Sequence, residues 1–146
     1  MQTIIEFESK NVELPSLDFE KLRRWLIDVA RLHNKKVGRI NYLFCDDAEI
    51  LIVNRQFLDH DFFTDIITFD YSHKDMVSGD IVISLDTVKD NADKYSATYN
   101  SEILRVIVHG LLHLCGINDK GPGEREIMEN NENMALSLWD SMGSCA

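Results

Sequence analysis

The stretch NSEILRVIVHGLLHLCGIND, residues 100–119, decides how this chain is read. From about Asn100 to Cys115 it is apolar nearly all round, the pattern of a helix buried at the centre of a domain. Gly116 follows as a natural stop, because glycine tolerates the left-handed turn that ends many helices. His109 and His113 stand four apart, so they project from one helix face, one turn above the other. Their imidazoles can then converge on one ion at about 2.0–2.1 Å, as zinc requires. Asp119, three positions past the glycine, can swing back beneath them and add a carboxylate oxygen.

The spacing H-x-x-x-H-x-x-G-x-x-D parallels the zinc motif of metzincin proteases. Three protein donors leave a fourth position open, which separates a catalytic metal site from a closed structural one. A lone histidine on an apolar helix is usually a core residue satisfied by a neighbour. Two at this spacing, with a glycine stop and a third donor, resist that reading, since buried imidazoles without partners are costly. A zinc protease of this layout carries Glu directly after the first His as general base. Here that position is Gly110, which can neither take nor give a proton, so peptidase chemistry is disfavoured. Cys115 lies two residues past His113 on another helix face and reads as core, not as a ligand.

Working outward, residues 2–8 alternate and read as a strand, and Pro15 and Ser16 break the chain. Leu22, Trp25, Leu26 and Val29 recur at helical spacing between about 17 and 34. Residues 38–45 form a second strand, with Ile40, Tyr42 and Phe44 on one side. Asp46 followed by Glu49 opens a helix running to about Leu58, and residues 59–65 read as a loop. Segments 66–71 and 80–85 are short and β-branched and read as strands, joined by a connection ending at Gly79. Asp86 or Thr87 caps a helix over 87–95, and an amphipathic helix spans about 123–142. The expectation is a single α+β domain over residues 1–146, with a small mixed sheet of about four strands packed by helices. Its plan is zincin-like, with a central metal-binding helix.

Composition narrows the function classes. Three scattered cysteines, Cys45, Cys115 and Cys145, make neither a disulfide framework nor a cysteine zinc site. The acidic N-terminal stretch lacks the basic start and apolar run of a signal peptide. No apolar run is long enough to span a bilayer. A reducing cytoplasm is the expected location. The net charge of −10 is unusual for a nucleic-acid binder. Yet Lys21, Arg23, Arg24, Arg31, Lys35, Lys36 and Arg39 gather seven of the fifteen Lys and Arg residues within nineteen positions. That cluster is either a solvated helix face or an RNA-facing patch.

At the histidine segment the chain resembles the YbeY family, whose metal motif is similar to HGxLHLxGxDH. HGLLHLCGIND, residues 109–119, matches its first eight positions. NRQFLDHDFFTDIITF, residues 54–69, is similar to the family's LNxxYRxKDxxTDVLSF segment. GDIVIS, residues 79–84, and EREIMENNE, residues 124–132, resemble the strand and the acidic helix that follow there. Departures stand out at two places. Asp119 replaces the family's third histidine and Asn118 the aspartate before it, and Leu58 stands where the family has an arginine implicated in activity.

The resemblance implies a single-strand-specific, metal-dependent endoribonuclease acting in 16S rRNA 3′-end maturation and ribosome quality control. Its partners would be rRNA and the small ribosomal subunit, and its cofactor one divalent ion, zinc first. It also implies that Asp65 and Asp80 lie near the cleft. Arg55, His60 and Arg105 are the candidates for contacting substrate in place of the missing arginine. Two other functions compete: a ribosome-associated assembly factor with a structural metal, and a zinc metallopeptidase.

Overall fold

The structure is a computed structural model that describes residues 3–58 and 64–143. Its elements run β1 (Ile4–Ser9), α1 (Phe19–Leu32), β2 (Lys36–Cys45), α2 (Asp47–Leu58), β3 (Ile66–Asp70), β4 (Met76–Ser84), α3 (Leu85–Lys94), α4 (Tyr99–Leu114) and α5 (Glu124–Ser141). The four strands form one mixed sheet in the order β1-β2-β4-β3. β1 runs parallel to β2 and β2 parallel to β4, while β3 is antiparallel to β4. The expected α+β architecture with a four-stranded sheet is what the chain adopts.

The period-two pattern of the strands sorts side chains onto two faces. Ile40, Tyr42 and Phe44 of β2 and Val77, Ile81 and Ile83 of β4 join the larger core with α1, α3, α4 and α5. Val82, Ile67 and Cys45 face the other way and pack with Ile50 of α2 in a smaller core. Leu22, Trp25, Leu26 and Val29 are all buried, as helical spacing requires. The side chain of Asp18 caps α1 by accepting from the Lys21 N–H. Asp46 accepts from the Glu49 N–H at the start of α2.

Several boundaries differ from the sequence reading, and two of them have a clear physical cause. β4 begins at Met76, not at 80, because Met76 and Val77 extend the ladder with Lys36 and Val37 of β2. Gly79 therefore lies inside a strand. A Cβ there would sit 2.5 Å from the Phe69 carbonyl oxygen and 2.9 Å from Leu114, so close approach of β3 and α4 requires the glycine. The cap of α3 is Ser84, whose hydroxyl accepts from the Thr87 N–H, so the helix starts earlier than Asp86 or Thr87 would allow.

Two long-range hydrogen bonds seat the helices. The Tyr42 hydroxyl donates to the Ile107 carbonyl at 2.8 Å, and the Trp25 indole N–H donates to the Ala135 carbonyl at 2.7 Å. Gly110 shows why α4 can lie against the sheet: a Cβ there would meet Ile66 and Ile81 at 3.0 Å. Among the described residues, no helix is long and apolar enough to cross a membrane.

Candidate metal centre

α4 carries ten buried residues, and its one half-open face presents His109 and His113. Their rings stand 4.6 Å apart, nearly perpendicular at 82°. The helix ends in a Schellman motif. The Ile117 N–H donates to the Leu112 carbonyl, the Gly116 N–H donates to that of His113, and Gly116 adopts φ +95°. This turn sends the chain back under the histidines. Asp119 Oδ2 lies 3.3 Å from His109 Nε2, and Asp119 Oδ1 lies 3.6 Å from His113 Nε2.

One donor atom from each of the three residues lies within 4.8 Å of the other two. Donors about 2.0–2.2 Å from a shared tetrahedral ion sit about 3.3–3.6 Å apart, so this set fits a divalent ion with small side-chain adjustment. Two imidazoles and one carboxylate are the donor chemistry zinc accepts, and they also suit other first-row divalent metals.

Burial and the surrounding carboxylates set the electrostatics of the cluster. Burial works against protonation of His109, but the hydrogen bond and charge of Glu132, with Asp119 and Asp65, outweigh it and hold its pKa above the usual value. His113 is held below the usual value by burial and by the adjacent His109. Burial also raises the carboxyls of Asp65 and Glu102, making both better proton holders than surface acids.

His109 and Asp119 open onto a cleft of about 570 Å³. Five carboxyl residues, Asp65, Glu102, Asp119, Glu129 and Glu132, line it against two guanidinium groups, Arg105 and Arg125. The cleft is therefore acidic without a cation.

The structure brings together some of the candidates and separates others. Asp65 lines the cleft, where its carboxylate accepts from the Asn91 side-chain amide. Asp80 does not. It precedes Ile81, which faces α4, so it points to the opposite sheet face, where it accepts from Asn41. Arg105 lines the cleft and donates to Glu132 and Asn133 at 2.8 Å each. Arg55 is exposed on α2, outside the cleft lining. His60 lies outside the described residues, as does Cys145. Cys115 packs against the main core, and burial pushes its thiol up to about 11.

None of the seven basic residues between 21 and 39 lines the cleft. Arg23 donates to the Ile5 carbonyl, Arg24 to that of Gly143, and Lys21 covers the Trp139 ring. Sequence reasoning missed Glu132 and Arg125, because acids and bases on an amphipathic helix look like its solvated face. Both lie in the 124–132 segment that resembles the family's acidic helix, but nothing within that segment sets them apart from their neighbours.

The fold and the three-donor cluster define a class: small α+β domains whose central helix presents a cluster of side chains able to hold a divalent ion. The profile of the family described as Endoribonuclease YbeY matches residues 4–140. Proteins named Endoribonuclease YbeY are similar to this chain in Phocaeicola vulgatus (54% identity, 92% of this chain and 98% of that protein) and Porphyromonas gingivalis (46%, 96% and 93%). A solution structure of a Thermotoga maritima protein superposes with a TM-score of 0.67 at 27% identity, covering 94% of this chain and 92% of that one. The chain belongs to the YbeY family.

Proposed function

We propose that His109, His113 and Asp119 hold one divalent ion, zinc first among the candidates. On this reading the chain is a metal-dependent endoribonuclease acting on single-stranded RNA. Its proposed setting is the cytoplasm, beside the small ribosomal subunit, in 16S rRNA 3′-end maturation and ribosome quality control. The observation that carries this reading is the convergence of three donors at the edge of an acidic cleft. The relatives' shared name supports RNA as the substrate. When bound, the ion supplies Lewis acidity toward a phosphoryl oxygen and makes water a stronger acid.

The chain's own residues do the rest. Asp119 contributes an anionic donor where the family has an imidazole, which favours harder divalent ions relative to an all-histidine site. Arg125, exposed at the cleft, is placed to receive a backbone phosphate. Gly110 packs on Ile66 and Ile81, where an added Cβ would meet both at 3.0 Å, and it supplies no general base at the position where a peptidase carries one. A second reading, an assembly factor with a structural ion, draws on Leu58, which is 39% exposed where the family has an arginine.

One experiment tests both. Single-stranded RNA and a peptide mixture are offered to the metal-loaded protein, to the chelated protein and to His109→Ala. Metal-dependent RNA cutting that His109→Ala abolishes, with the peptides intact, is expected. RNA left whole by the loaded protein favours the assembly factor, and peptide cutting that tracks with the site overturns the reading of Gly110.

A further inference from the structure

We propose that Glu132 is a positioning residue for the metal site, orienting His109 from behind, and that Arg105 in turn holds Glu132. The inference rests on the reading that His109 holds the ion.

Glu132 sits on α5 and is 8% exposed. A carboxylate buried to that extent needs partners on both oxygens. Oε2 accepts from His109 Nδ1 at 2.6 Å, and Oε1 accepts from Arg105 Nη1 at 2.8 Å. A carboxylate only accepts, so the shared proton belongs to Nδ1, and in the neutral imidazole Nε2 keeps its lone pair. Nε2 is the nitrogen 3.3 Å from Asp119. The tautomer and ring angle a metal ligand needs are thus set before any ion arrives.

Arg105 prevents Glu132 from turning away. Its two terminal nitrogens reach Glu132 and Asn133, adjacent residues of α5, as a forked brace between two helices. Simple docking of α5 on α4 would need only that brace. The second carboxylate oxygen goes instead to the imidazole nitrogen that faces away from the donor cluster. Neighbour-by-neighbour helix packing does not require that choice.

The test combines zinc affinity by chelator competition with 15N spectra of the metal-free imidazoles, in Glu132→Ala, Glu132→Leu, Glu132→Gln and His109→Ala. Glu132→Leu fills the volume that alanine empties, so a folded protein without the acceptor is available if the alanine variant melts. Both apolar variants are expected to weaken zinc by roughly 10–100-fold. Their His109 should shift its proton toward Nε2. Glu132→Gln, which keeps an acceptor, should recover part of the affinity and the Nδ1–H form. Wild-type affinity and tautomer in a folded apolar variant overturn the proposal while leaving the metal site standing. Zinc bound as tightly by His109→Ala as by wild type overturns the site itself, and the proposal with it.

Discussion

The Tyr42 hydroxyl donates a 2.8 Å hydrogen bond to the carbonyl oxygen of Ile107, two residues before His109. Both ends are buried, and burial also pushes the phenol's pKa well up, so the group stays a neutral donor. This bond ties the central helix to the middle of the sheet. Tyr42→Phe should cost about 1 kcal/mol, seen as a midpoint lowered by roughly 3 °C. Zinc affinity should remain within twofold, because the helix keeps its apolar seat. An unchanged melting temperature would show that the bond contributes nothing net.

Gly79 is required by contact. The nearest atom to a new Cβ is a backbone oxygen, Phe69 O at 2.5 Å, which cannot rotate aside as a side chain would. Gly79→Ala should destabilise by about 1–3 kcal/mol through overpacking between β3, β4 and α4. Urea unfolding measures it, and a stability equal to wild type would contradict the close approach.

Purified protein should bind about one divalent ion per chain, and His113→Ala should abolish tight binding. Asp119→Ala should weaken zinc by orders of magnitude, whereas Asp119→His should hold it at least as tightly, since imidazole suits zinc. Metal analysis after dialysis reads both. Undiminished zinc in His113→Ala would remove that histidine from the ligand set.

Arg125→Gln should make the slope of log RNA affinity against log salt shallower by about 0.7, the loss of one phosphate contact on a single strand. Lys35→Gln with Lys36→Gln should leave that slope unchanged, since neither residue lines the cleft. The opposite pattern would move the RNA path to the 21–39 surface.

Glu102 supplies a pH signature. Burial, reinforced by Asp65 and Glu132 and opposed by Arg105, raises its pKa above the ordinary 4.5. Such a carboxyl binds its proton more tightly in the folded state than in the unfolded one. Stability is therefore least penalised below the unfolded value and declines as pH rises through the folded value. Glu102→Gln escapes that decline. In chelated protein, urea midpoints should favour the variant increasingly as pH rises across this window, and a difference that grows on acidification would refute the assignment.

Local periodicity determined much of this protein. Two histidines four apart, a glycine stop and an aspartate three further on state a helix, its end and a returning chain, all within eleven residues. Alternation at Ile40, Tyr42 and Phe44 likewise assigned a buried strand face, and these residues are fully buried. Tertiary structure decided what depends on pairs far apart in sequence. The order β1-β2-β4-β3, the strand start at Met76 and the face on which Asp80 lies follow from register with β2 and contact with α4. Glu132 reaches His109 from 23 residues away, and Tyr42 reaches Ile107 from 65. Residue spacing reports which side chains share a face of one element. It carries no information about which face of another element will be brought against them.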